Sequence, residues 1–216
     1  MKAQENYYDD PLTFFEYELF RTIGISLYEE DSVMMRGMIG DLSNKRVLDF
    51  GCGFGILTAK MADFAKTVLG VDISSRQLKH ARANFARDNL KYRRVAVNNG
   101  LEKIRNKFDI VVSHSVLHYL PDLESTFTHF NRLLDKDGNV VVNMPHPETI
   151  ANENYASGER VQTSGRINYY RPAEEIESAF SKTGFRVTDI ATGGTVQRFG
   201  QSDCPRLLMM KAEKMN

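Results

Sequence analysis

The residues best placed to do chemistry lie in one run, Val47-Leu48-Asp49-Phe50-Gly51-Cys52-Gly53-Phe54-Gly55, and at one later position, Asp72. An apolar strand pattern ends at Phe50, glycines follow at alternate positions, and a helical pattern starts at Gly55. A turn without side chains lets the main chain approach a ligand closely. The helix behind it offers free amides and the positive end of its dipole. Asp72 ends the next strand, where a carboxylate can accept both hydroxyls of a ribose. Asp49, just before the turn, brings negative charge and suits a cationic ligand better than a pyrophosphate. The glycine spacing narrows the choice. Nicotinamide and flavin sites use G-x-G-x-x-G, which needs a small residue at position 56; Ile56 stands there, and the third glycine is Gly55. Cys52 inside the turn is read as packing, with its backbone amide near the ligand, and not as a reactive thiol.

The elements that must hold these residues alternate. Strands are expected at 47–50, 67–71, 93–97, 109–113 and 139–143, with helices at 55–65, 74–88 and 127–134 between them. Ser74 and Gln77 have the spacing of a capping box. Asp137-Gly138 marks a turn before the fifth strand. Pro172 opens a helix to about Lys182, closed by Gly184. Two last strands, 185–191 and 206–212, have no helix between them and should pair antiparallel. The sum is an α/β fold: a doubly wound, mostly parallel seven-stranded sheet with an antiparallel last strand, a Rossmann-like three-layer sandwich. Residues 1–40 read as an N-terminal helical cap and 41–216 as the main domain. The polar stretch 145–171 is a lid insertion, too long for an idle loop.

The pattern Asp49-x-Gly51-x-Gly53-x-Gly55 with Asp72 resembles the first two motifs of class I S-adenosylmethionine-dependent methyltransferases. The resemblance covers roughly residues 45 to 212. It implies that S-adenosylmethionine binds, leaving S-adenosylhomocysteine, with Gly51 and Gly53 against the methionine and ribose portions. Asp72 would hold the ribose hydroxyls and Ile73 would lie against adenine. Family members often carry an Asp after the third strand; this chain has Asn98-Asn99-Gly100-Leu101, and an Asn oxygen can accept the same bond. Asn99, Leu101 and Ser113 are thereby assigned to the cofactor side. Phe108 to Leu120 is similar to the fourth motif of the small-molecule members, and Leu133 to Gly138 to the run before their fifth strand. Asn143-Met144-Pro145-His146-Pro147, Tyr169-Tyr170-Arg171 and Gly184-Phe185 resemble a bacterial subgroup, the type 11-like enzymes.

The acceptor side is less legible. A sulfonium is already activated, so the protein mainly holds the acceptor in line and away from water. A base is needed only for a hydroxyl or a protonated amine, and imidazole titrates in the right range. His146, held between two prolines after the fifth strand, is the expected base, with His114 or Tyr170 orienting the substrate. His118 is read as an ordinary helix residue. Tyr7, Tyr8, Phe14 and Phe15 fit either a flap over the cofactor or a staple on the first helix, and the staple is the preferred reading.

The chain has 28 basic and 28 acidic side chains, so no general electrostatic attraction to nucleic acid or membrane surfaces is expected. No apolar run reaches membrane-spanning length, the N-terminus lacks a secretory core, and no Cys/His cluster has metal spacing. Cys52 and Cys204 read as free thiols in a reducing cytoplasm. The function expected is methyl transfer to an O or N atom of a small molecule, by a monomer or homodimer. Protein or RNA methylation and a non-catalytic cofactor-binding scaffold are the alternatives.

Overall fold

β1 (Arg46–Phe50) pairs in parallel with β2 (Thr67–Asp72) on one side and β4 (Phe108–His114) on the other. Such a strand is covered on both faces, which is why it reads as a nearly unbroken apolar run. This description comes from a computed structural model and covers residues 7–11, 13–14, 33–96, 100–147, 160–163, 166–196 and 204–215. β3 (Leu90–Arg94) lies outside β2, and β5 (Leu134–Pro145) lies beyond β4. β9 (Cys204–Lys214) then runs antiparallel to β5, with β8 (Phe185–Val196) antiparallel to it at the edge. The order is β3-β2-β1-β4-β5-β9-β8, the seven-stranded, mostly parallel sheet that the alternation implied. A two-stranded hairpin, β6 (Arg160–Thr163) with β7 (Arg166–Tyr169), stands apart from it. It falls within the expected lid, which is therefore partly regular structure.

Alternate residues of the central strands feed two cores. Leu48, Phe50, Val111, Val140 and Val142 face the first, with α4 (Leu123–Leu133) and α5 (Ala173–Lys182). Its centre is aromatic: the rings of Phe127 and Phe180 stack at 4.0 Å, and Phe50 meets Phe130 edge-on at 5.2 Å. Val47, Ile110, Val112 and Val141 face the second, with α1 (residues 33–39) and α2 (Ile56–Ala62). α3 (Ser75–Asn84) follows β2 and buries Leu78 and Ala81.

Several boundaries differ from expectation for local reasons. α4 begins four residues before Phe127, because Asp122 caps it by accepting from the amide of Ser125 at 2.9 Å. Asp137, at φ 63°, makes the expected turn, but the turn bulges within β5 instead of preceding it. β3 ends at Arg94, short of 97. It is the edge strand, so exposed Lys91, Arg93 and Arg94 sit on a solvated rim.

Candidate cofactor and acceptor site

The chain turns at the carboxyl end of β1. The amides of Gly51 and Cys52 both donate to the carbonyl of Val71, at 2.8 and 3.0 Å, which ties the turn to the end of β2. Gly51 has φ 80°, and a Cβ there would come within 2.2 Å of the Val116 side chain. Only glycine satisfies both conditions. Gly55, the N-cap of α2 at φ 84°, is required for another reason. Tyr92 and Ala81 lie 2.5 and 2.8 Å from where its Cβ would be, so the third glycine serves packing of the turn against β3 and α3.

Asp72 joins the turn to the next helix. Its Oδ2 accepts from the amide of Gly53 and its Oδ1 from that of Ser74, both at 2.9 Å. Burial pushes its carboxyl up, and these amides pull against that shift. Each oxygen keeps a lone pair, so two donors can still be accepted. The capping box forms only in half. Ser74 Oγ accepts from the amide of Gln77 at 3.1 Å, but the amide of Ser74 is taken by Asp72, so Gln77 has no cap amide to return to.

Asp49 behaves differently from its expected role. It is 1% exposed and accepts from Thr58 Oγ1 at 2.6 Å, so it braces α2 and does not open toward a ligand. Burial lifts its carboxyl to about 7, with the Asp72 charge adding to the shift. Cys52 is buried, and burial pushes its thiol up, as fits a packing residue. Ile73 is partly exposed, and its carbonyl accepts from Arg94 Nε at 2.9 Å. Leu101 is 1% exposed, and its side chain belongs to the first core. Ser113 is fully buried with a hydroxyl that has no hydrogen-bond partner. Asn99 lies outside the described residues.

The N-terminal segment supplies contacts that the sequence reading missed. Ser74 Oγ donates to Asp9 Oδ1 at 2.8 Å or the Tyr8 carbonyl at 3.0 Å. Asp9 also accepts the amide of Arg76 at 3.1 Å. Phe14 packs on Phe54 at 5.0 Å, and Tyr8 meets Tyr119 at 5.9 Å. Residues 7–11, 13 and 14 thus reach from the start of α3 to the turn after β4, across the carboxyl edge of β1. Tyr8 and Phe14 find their partners on the two sides of the turn, Tyr119 after β4 and Phe54 before α2. Phe15 lies outside the described residues. Acidic residues followed by paired aromatics were the available signal.

His114 ends β4 opposite Asn143 of β5, and His146 leaves β5 with its amide on the carbonyl of Arg206 at 2.9 Å. Both are partly exposed at the carboxyl edge of adjacent strands. Tyr170, also partly exposed, sits between β7 and α5. A cleft nearby is lined by Leu117, His118, Met144, Pro145, Tyr169 and Arg171 among others, the neighbours of His146 and Tyr170 but neither residue itself. Arg171 is 8% exposed and donates to the carbonyls of Leu120 and Pro121, so it fastens the segment after β4. His118 is buried in a short 3-10 helix, Leu117–Tyr119.

Comparison with known proteins decides the family. A methyltransferase domain description matches residues 35–190. The chain belongs to the methyltransferase domain family. Among curated relatives, a ubiquinone biosynthesis O-methyltransferase of Pelagibacter ubique is 25% identical over 140 residues, 63% of this chain and 58% of that protein. One of the same name from Dechloromonas aromatica is 35% identical over 101 residues, 46% and 44%. The chain thus spans about half the length of these relatives. A magnesium protoporphyrin IX methyltransferase of Synechocystis, solved with S-adenosylhomocysteine, superposes with TM-score 0.71 at 15% identity, covering 99% of both chains. A methyltransferase structure from Listeria monocytogenes gives 0.71 at 20% identity, covering 88% of this chain and 100% of the other. These last two likenesses concern the fold. Among the described residues no group of His, Cys, Asp and Glu could hold a metal, and no helix is long and apolar enough to cross a membrane.

Proposed function

We propose that this methyltransferase-family chain transfers the methyl group of S-adenosylmethionine to an oxygen of a small molecule. The observation that carries the reading is Asp72, held by the amides of Gly53 and Ser74 with a lone pair left on each oxygen, at the carboxyl edge of the sheet. That arrangement fits a ribose diol beside a turn that has no side chains at Gly51 and Gly53. Ile73, partly exposed next to it, fits the adenine side. The names of the curated relatives support oxygen over nitrogen.

When bound, the cofactor supplies a sulfonium methyl group that needs no further activation. The protein's part is to position and to exclude water. Asp72 and the turn orient the nucleoside. Asp49, turned onto Thr58, braces α2 beneath the turn. The segment 7–14 screens the edge, with Tyr8 and Phe14 against both banks. His146 takes the acceptor's proton as the acceptor oxygen attacks, and His114 or Tyr170 orients the acceptor. The site is expected to work in the cytoplasm, where Cys52 stays a free thiol.

The test is incubation of the chain with methyl-labelled S-adenosylmethionine and a cell extract, followed by size fractionation. Label in the small-molecule fraction is the expected result. Label confined to protein or RNA, or no label at all, refutes the reading. In calorimetry S-adenosylhomocysteine should bind and raise the melting temperature, and NADH should not.

A further inference from the structure

Asn143 carries a buried polar group that the fold leaves unused. It lies on β5 opposite His114 of β4 and Met209 of β9, and its side chain alternates with Val141 toward the second core, the face shared by Asp49 and Val112. The residue is 0% exposed. Its Oδ1 accepts from the amide of Ser115 at 2.7 Å, and the same amide reaches the Asn143 carbonyl at 3.1 Å. That bond fixes the orientation of the carboxamide, since a flip would set NH2 against N–H. Nδ2 is therefore aimed away from Ser115, and it is buried with no acceptor.

A buried donor without a partner forfeits its hydration, and native proteins keep few of them. A second feature marks the same place. Ser115 holds φ 57°, a left-handed conformation that costs a non-glycine residue and recurs at functional sites. The pair sits where β4 and β5 end, between His114 and the exit to His146. In open α/β sheets that edge is where ligands lie.

We propose that Asn143 binds the methyl acceptor, donating from Nδ2 to an oxygen lone pair beside the atom that is methylated. This rests on the small-molecule methyl-transfer reading and adds to it. It predicts selection for acceptors with a hydrogen-bond-accepting group next to the reacting hydroxyl, against those that present a donor there. Ser115, through its backbone amide, acts only as a positioning residue for the carboxamide.

The test uses the whole chain and two phenols of fixed ortho geometry, 2-methoxyphenol, whose flanking group accepts, and 2-aminophenol, whose flanking group donates. Asn143→Asp keeps the shape and the bond from Ser115 but replaces the donor by an acceptor. The parent should favour 2-methoxyphenol in kcat/KM by about tenfold or more. In Asn143→Asp that preference should fall below about twofold or reverse, with S-adenosylhomocysteine affinity unchanged. Asn143→Leu, which removes the donor without adding charge, should also lose the preference, and cofactor binding reports that either variant is folded. An unchanged ratio in a folded variant overturns the proposal. So does a parent that favours 2-aminophenol, or one that labels compounds in the extract but neither phenol. No small-molecule product from either source removes the methyl-transfer reading, and this inference with it.

Discussion

Replacing Asp72 by Asn exchanges one oxygen for NH2 at constant shape. The carboxylate serves two amides, one on each oxygen, from Gly53 and Ser74. The carboxamide oxygen can keep one, and the new NH2 is then set against the other N–H. One part-buried donor is left unpaired, at a cost of about 1–3 kcal/mol. For a chain of this size that lowers the melting temperature by roughly 2–10 °C. Binding loses more, because the ribose loses a charged acceptor at one hydroxyl and faces a donor. A charge-assisted bond contributes about 1.5–3 kcal/mol, so S-adenosylhomocysteine affinity should fall at least about tenfold. Thermal unfolding without ligand measures the first effect, and titration calorimetry well below the melting point measures the second. Asp72→Ala should act in the same direction, with both amides released. An Asp72→Asn variant that binds S-adenosylhomocysteine like the parent would refute the ribose assignment. A melting temperature unchanged while affinity falls would refute the bracing role.

Asp49 should make stability depend on pH. Its folded value of about 7 lies above the unfolded 3.8, so the folded state keeps a proton that the unfolded state releases. Its contribution is fully present below pH 3.8 and is lost as pH rises toward 7, by up to roughly 4 kcal/mol. Asn keeps the acceptor for Thr58 and cannot ionise, so urea unfolding of Asp49→Asn should lose less stability between pH 5 and 8 than the parent; equal losses would contradict the burial argument. His146→Ala should lower turnover by at least about 100-fold with cofactor affinity nearly intact, measured on one preparation, and full turnover would remove the base assignment. Asp9→Ala removes the carboxylate that holds Ser74 Oγ and the Arg76 amide, leaving only main-chain acceptors of the N-terminal segment. Stopped-flow release of S-adenosylhomocysteine should quicken several-fold, and an unchanged rate would mean that residues 7–14 do not cover the ligand.

What local chemistry decides, the sequence decided alone. The element order follows from apolar periodicity and from turn residues, and both the doubly wound sheet and the antiparallel final pair were legible in it. The glycine turn and Asp72 were legible because a strand–turn–helix with a carboxylate ending the next strand is a local constellation of types and spacing. Burial and partner choice were not, since they depend on what arrives from far along the chain. Asp49 looked open to a cation and is closed by Thr58. Gly55 looked like the third glycine of a turn motif and is demanded by Tyr92, 37 residues away. Leu101 looked like a cofactor residue and is core. Tyr8 and Asp9 found their partners more than 60 residues on, at Ser74 and Arg76. Asn143 gave no signal of a binding role, because an asparagine in a strand is ordinary until Ser115 takes its oxygen and leaves its amide buried. Sequence fixes which groups exist and their local geometry, while only tertiary packing determines which of them are desolvated and which are already spent.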